Sequence, residues 1–298
     1  MKGVRAIGAQ REAVQRMQDF ILKHLDEEIG PEELAKASYF SPWHANRLFK
    51  KFTGFTPAEY VRRLRLSRSA LLLRDSEKKI TEVAFEMGFG SVDGYQRAFF
   101  KEFGLNPSDY VDHPVPLYLF IPYRVENDRE EEEFNMKETE TIFVKVIKKP
   151  RRKVWIKRGI KATEYFGYCE EVGCDIWGLL TSIKTPFEEP VSLWLPEAYI
   201  KPNTSKYVQG VEVPLDYTGV MPNDFDEIEL PEAEYLLFQG EPFEEEDYGK
   251  AIESVWKAIQ KYNPKNIGYE WDESNPRIQL EPLGERGYME LMPIKAIK

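Results

Sequence analysis

Two apolar rhythms divide the chain. Up to about residue 112 the apolar residues recur every three or four positions, as in helices packed along one face, whereas beyond about 139 period-two alternation is interleaved with two longer helical stretches. In the first part Val14, Met17, Ile21, Leu22 and Leu25 form one stripe and predict a scaffold helix over 10–29. Leu34, Ala35 and Ala37 behind Pro31 predict a second helix, and Ala45, Leu48, Phe49 and Phe52 a third. The third opens at Ser41-Pro42, with serine as N-cap and proline at the first helical position, where its missing N–H costs nothing, and it stops at Gly54. Tyr60, Val61, Leu64, Ala70 and Leu71 predict a long bridging helix over 57–75.

Part of this pattern occurs twice. A shift of 50 residues (91 − 41 = 50) lays Ser41 on Ser91, Arg47 on Arg97, Phe49 on Phe99, Lys51 on Lys101, Gly54 on Gly104, Pro57 on Pro107 and Tyr60 on Tyr110. Each copy reads as a short helix, a tight turn and a second helix, the helix-turn-helix plan whose second helix lies in the major groove of DNA. Trp43, His44, Asn46, Arg47, Lys50 and Lys51 fall on or near the outer face of the first such helix. In the second copy Val92-Asp93-Gly94 follows the N-cap, which leaves Gln96, Arg97 and Lys101 as the candidate DNA contacts.

Two helix-turn-helix units bridged by a long helix, each closed by Arg-x-Phe-(Lys/Phe)-Lys-x-x-Gly, with Ser-Pro-Trp-His-Ala-Asn-Arg-Leu-Phe-Lys-Lys at 41–51, resemble the DNA-binding domain of the AraC/XylS family. The resemblance covers roughly the first third of the chain. It implies base contacts from Trp43, Asn46 and Arg47, while the departure from the family pattern at Val92-Asp93-Gly94, where the relatives carry polar residues, leads to the expectation of a weaker or phosphate-only contact by the second unit. A straight bridging helix would let a monomer reach two half-elements about one helical turn, roughly 34 Å, apart.

A net charge of −10 looks wrong for a DNA binder until it is divided. Residues 1–112 hold 18 Lys+Arg against 16 Asp+Glu, a balance of +2, so the remaining 23 and 35 leave the rest of the chain at −12. The basic residues of the first part cluster at 50–51, at Arg62, Arg63, Arg65 and Arg68, and at Arg97 and Lys101, as a phosphate-facing side requires. A composition 42% hydrophobic and 31% charged is ordinary for a soluble protein. No apolar run reaches membrane-spanning length and the N-terminus has no signal-peptide core, so the expected location is the cytoplasm, with no membrane partner. Cys169 and Cys174, five apart in a predicted helix, favour reduced thiols, and three scattered histidines give no zinc constellation. No cofactor is expected.

The DNA-binding domain is expected to span 1–112 and a connection 113–138, opened by His113-Pro114-Val115-Pro116 and carrying an acidic run at 126–134. Over 139–298 strands are predicted at 141–148, 153–157, 191–195, 207–213, 227–239, 268–271, 277–282 and 288–294, with helices over 162–183 and 246–262. Strand, helix, strand, strand, done twice, argues for an α+β domain with helices on one face of an antiparallel sheet. This plan, with Asn-Pro-Arg-Ile-Gln-Leu-Glu-Pro-Leu at 275–283 and Gly-Tyr-Met-Glu-Leu-Met-Pro-Ile-Lys at 287–295, resembles the GyrI-like effector-binding domain. The resemblance implies a small lipophilic or cationic effector held by a strand carboxylate among aromatic rings. Ile278 and Leu280 are expected to face the helices, so alternation turns Gln279 and Glu281 to the cleft and points to Glu281, with Glu290 second. Trp155, Tyr235, Tyr269 and Tyr288 supply rings, while Trp177 and Trp256 read as helix core. A one-component transcription regulator, acting on double-stranded DNA and through RNA polymerase, is one expectation. A hydrolase in which a pocket glutamate activates water is the alternative.

Overall fold

The computed structural model describes residues 2–122, 125, 141–244 and 247–297. The chain divides into two units, Met1–Asn135 and Met136–Lys298. The acidic run at 126–134 and Glu246 lie outside the described residues.

The first unit is built from helices α1 (Lys2–Lys23), α2 (Pro31–Ser38), α3 (Pro42–Thr53), α4 (Pro57–Asp75), α5 (Ile80–Glu86), α6 (Val92–Phe103) and α7 (Pro107–Asp112). The 50-residue offset holds at both ends of the second helices, and each stops at a left-handed glycine, Gly54 at φ 81° and Gly104 at φ 78°. Ser91 caps α6 through its side chain, whereas Ser41 occupies the N-cap of α3 without a side-chain cap bond. α1 begins earlier than expected and stops at Lys23 rather than near 29. Arg65 of α4 binds the carbonyls of Leu25 (Nε, 2.9 Å) and Glu27 (Nη2, 2.5 Å), holding this stretch in a turn.

Two cores meet along α4. Tyr60, Val61 and Leu64 join Val14, Met17, Leu34, Leu48 and Phe49 around the first helix-turn-helix. Leu66, Ala70 and Leu73 join Val83, Ala84, Tyr95, Phe99 and Tyr110 around the second. Burying a side chain of this size contributes about 1.5–3 kcal/mol, so each half of α4 is committed to its own unit. Residues 115–120, assigned by the sequence to the connection, pack into the same cores. Leu117 and Leu119 are buried, Phe120 meets Tyr60 edge-on at 5.0 Å, and its N–H donates to Ser67 Oγ at 2.7 Å.

The second unit carries β1 (Phe143–Lys149), β2 (Arg152–Arg158), α8 (Tyr165–Val172), α9 (Ile176–Ser182), β3 (Val191–Trp194), β4 (Tyr207–Val213), β5 (Asp226–Leu230), β6 (Ala233–Gln239), α10 (Tyr248–Lys261), β7 (Tyr269–Trp271), β8 (Arg277–Gln279) and β9 (Met289–Ala296). All pairings are antiparallel, in the order β1-β6-β9-β8-β3-β4-β2-β5, with β7 added to β9. β1 and β2 face β6 and β5 in one continuous register, from Phe143 opposite Gln239 to Ile156 opposite Asp226, so the four strands form one long ribbon.

One sheet face buries a core contributed by strands, including Val154, Ile156, Leu193, Val208, Leu237, Ile278 and Leu291. On the other face α8 and α9 cover Trp155, Tyr207 and Val211, while α10 covers Leu236, Phe238 and Tyr288. Three predicted elements are divided or shortened. The helix expected over 162–183 breaks at Gly173, held at φ 99°. The strand over 227–239 is interrupted at Pro231, which has no N–H to give a ladder. The strand over 277–282 ends at Gln279, and the Glu281 N–H turns to the Glu189 carboxylate at 3.1 Å.

Candidate functional site

α3 turns Ala45, Leu48 and Phe49 inward, which leaves Trp43, Asn46, Arg47, Lys50 and Lys51 exposed. Trp43 is 68% exposed, and the Arg47 guanidinium lies over its ring, 4.5 Å from the centroid. The cation–π contact orients the arginine on the helix surface before any partner arrives. Lys51 reaches toward α1, its Nζ donating to Gln10 Oε1 at 3.4 Å. His44 departs from its expected place on the contact face, because it is half-buried and stacked on Phe40 at 4.7 Å. It anchors the turn between α2 and α3.

The outer face of α6 is different. Arg97 and Lys101 are exposed and Gln96 is half-buried, but Asp93 stands where α3 has Trp43. Arg97 Nε donates to the Asp93 carbonyl at 3.3 Å. Phe100, 53% exposed at the position of Lys50, belongs to this face although charge and polarity gave no signal for it.

The arginines of α4 do not form the phosphate-facing row expected from sequence. Arg63 pairs with Glu102 of α6 at 2.6 Å and lies over the Phe120 ring at 4.5 Å, while Arg68 pairs with Asp26 at 3.0 Å. Arg65, bound to the α1–α2 turn, also closes against Gly88, whose φ of 71° and lack of a side chain allow the approach. Arg63 and Arg65 fasten the helix-turn-helix units to the bridging helix, whereas Arg62 and Arg68 remain exposed. Between the units lies a cleft of about 440 Å³, lined by residues including Leu34, Asn46, Val61, Arg62 and Phe89.

In the second unit the expected effector residues do not converge as a set. Trp155 is buried beneath α8 and α9, its indole donating to Glu227 at 3.0 Å. Tyr235 points into the strand-lined core beside Arg152, and burial pushes its phenol up to about 12. Tyr269 lies on β7, paired to the far end of β9. Glu281 has left the strand, so alternation no longer sets its direction. Burial and the neighbouring Glu189 raise its carboxyl above the ordinary range, and Glu189 itself binds Arg286 with both oxygens, at 2.5 and 2.8 Å.

Glu290 and Tyr288 do come together, with Arg277 and Trp194, not assigned from sequence, and with Trp256, expected in the helix core but 40% exposed with its indole on Glu290. Leu291 faces the strand-lined core, so its neighbour Glu290 faces α10 and is fully buried. Its carboxylate accepts from Trp256 Nε1 at 2.9 Å and from the Tyr288 hydroxyl at 3.0 Å, and forms an ion pair with Arg277. Trp194 stands opposite Arg277 in the β3–β8 ladder, and the guanidinium lies 4.2 Å from its ring and 5.2 Å from that of Trp256. Burial, then the adjacent carboxylate, raises the Tyr288 phenol far above its usual range, which keeps it a donor. Ile278 faces the strand-lined core and not the helices as expected, so alternation turns its neighbour Arg277 toward α10.

Comparison with known proteins places the first unit. A family profile described as a helix-turn-helix domain matches residues 34–113. The regulatory protein SoxS of Salmonella typhimurium is 33% identical over 102 residues, 34% of this chain and 95% of SoxS. The right origin-binding protein of Escherichia coli is 36% identical over 91 residues, 30% of this chain and 32% of that protein. A probable AraC family transcriptional regulator from Rhodopseudomonas palustris aligns in structure at 24% identity and a TM-score of 0.33, covering 34% of this chain and 94% of that one. With a repeated helix-turn-helix, an exposed Trp-Asn-Arg face on α3 and a relative matched over nearly its whole length, the chain belongs to the AraC/XylS family of DNA-binding transcriptional regulators.

Proposed function

We propose that this regulator reads bases chiefly through α3, and that its second unit is a GyrI-like domain binding a small effector that alters DNA binding or polymerase recruitment. The outer face of α3 carries the first half of this reading: Trp43, Asn46, Arg47 and Lys50 share one exposed side, with Arg47 already oriented on the indole. Arginine bidentate to guanine is the commonest specific contact, whereas lysine against phosphate adds affinity without sequence.

The duplicated plan proposed for the second unit rests on its strand order. Exchanging β1 with β5, β2 with β6, β3 with β8 and β4 with β9 reproduces the order reversed. A shift of 81 residues (233 − 152 = 81) carries β2 onto β6 end to end and β4 onto 288–294. The buried carboxylate beside two indoles supports effector binding. Glu290 is engaged by Arg277, Trp256 and Tyr288, and no observation favours its use as a hydrolytic base.

The test begins with duplexes selected from a random pool by the intact protein. Arg47→Ala should weaken binding to the selected duplex by ~1–3 kcal/mol and barely alter binding to random DNA. Lys51→Ala should weaken both alike and lower the salt slope by about 1. Identical losses for the two variants on both duplexes would overturn these roles.

A further inference from the structure

The group that neutralises Glu290 is a side chain of the protein itself. A fully buried carboxylate is tolerated only when a cation and hydrogen bonds compensate it. Among the described residues its ion-pair partner is Arg277, and two ring donors complete the shell. The guanidinium is flat and lies against two indoles, the arrangement by which aromatic faces hold cations. Arg277 and Trp256 reach solvent, 28% and 40% exposed, while Glu290 does not, so the arginine covers the carboxylate from the outside.

We propose that Arg277 is an intramolecular occupant of a site for planar cations of the amidinium or guanidinium class, and that it sets the affinity of the site by competing with them. This rests on the reading of the second unit as an effector-binding domain. The arginine shows what chemistry the site accepts: a planar monocation paired with a carboxylate and lying against an indole face. A tethered competitor acts at a high effective concentration, and an external ligand binds only in the fraction of molecules whose arginine has swung out. A neutral ligand of the same outline also finds the site open once the arginine is gone, but it leaves the Glu290 charge uncompensated and binds more weakly than the cation.

The experiment uses the full chain and benzamidinium, with neutral benzamide as the matched control, titrated against tryptophan fluorescence. Arg277→Ala should bind benzamidinium at least tenfold more tightly than the wild type, and Arg277→Ala with Glu290→Gln should lose that gain. Benzamide should bind Arg277→Ala at least tenfold more weakly than benzamidinium does, and that preference should vanish in the double variant. Removing the arginine exposes the protein to an unpaired buried charge, so Arg277→Gln, which keeps the stem and an N–H donor, is measured in parallel. Thermal melts supply a second readout, in which benzamidinium should raise the Tm of either Arg277 variant more than that of the wild type. Equal affinity and equal Tm shifts in wild type and variants would overturn the proposal, as would benzamide binding Arg277→Ala as tightly as benzamidinium. Binding to the selected duplex, measured in the same samples, separates the two layers. A tenfold gain without any change in DNA affinity or in transcription from that duplex would support the role of Arg277 and refute effector control.

Discussion

The two helix-turn-helix units are one design used with two outer faces. Inside, α3 and α6 keep Phe49 and Phe99 fully buried, end on left-handed glycines, and follow the same 50-residue register. Outside, Trp43 becomes Asp93 and Lys50 becomes Phe100, and Arg47, laid on an indole, becomes Arg97, turned back to the carbonyl of Asp93. The inner positions are held by packing, which penalises any change of volume, while the outer positions answer only to a partner. On the proposed reading the divergence marks a division of labour, with α3 assigned to the bases and α6 to the backbone.

The largest effects should fall on what the units share. Phe49→Ala and Phe99→Ala should each cost about 3–5 kcal/mol, read from urea unfolding, because each empties the centre of its own core. A loss confined to one of them would break the structural equivalence. Next, Gly54→Ala and Gly104→Ala should each cost about 1–2 kcal/mol, since both place a Cβ in the left-handed region, where neither has a neighbouring atom within 4 Å to add a clash. A pair of unequal values would show that the helix ends are held differently. The smallest effect should sharpen the difference: Asp93→Asn removes a negative charge from the face turned to phosphate and should raise affinity for random duplexes by less than ~1 kcal/mol at low salt. The gain should fade as salt is raised, and a decrease in affinity would place Asp93 away from the backbone.

The helical unit was legible in the sequence because its signals are local. Proline at helix starts, glycine at stops and a repeated apolar register fixed α3, α4 and α6 almost to the residue. What escaped were long side chains bridging distant positions. Arg63, Arg65 and Arg68 look alike in a row of basic residues, but Glu102 and the Leu25 carbonyl draw the first two inward after folding while Arg68 stays exposed beside Asp26. In the second unit period two gave most strands, but it assumed that the strand at 277 continued to Glu281. Glu189, nearly a hundred residues away, captures that backbone instead. The aromatic carboxylate site is assembled from β3, β8, β9 and α10, four elements whose adjacency no local pattern encodes.

The division of labour is tested most directly by scrambling each half-element of the selected duplex in turn and measuring the loss for wild type, Arg47→Ala and Arg97→Ala. Scrambling beneath α3 should cost the wild type several kcal/mol, by roughly 1–3 kcal/mol for each lost base contact, and Arg47→Ala should remove a large part of that discrimination. Scrambling beneath α6 should cost less than ~1 kcal/mol, with Arg97→Ala weakening every duplex alike. Equal losses beneath the two helices, each abolished by its own arginine variant, would contradict the account.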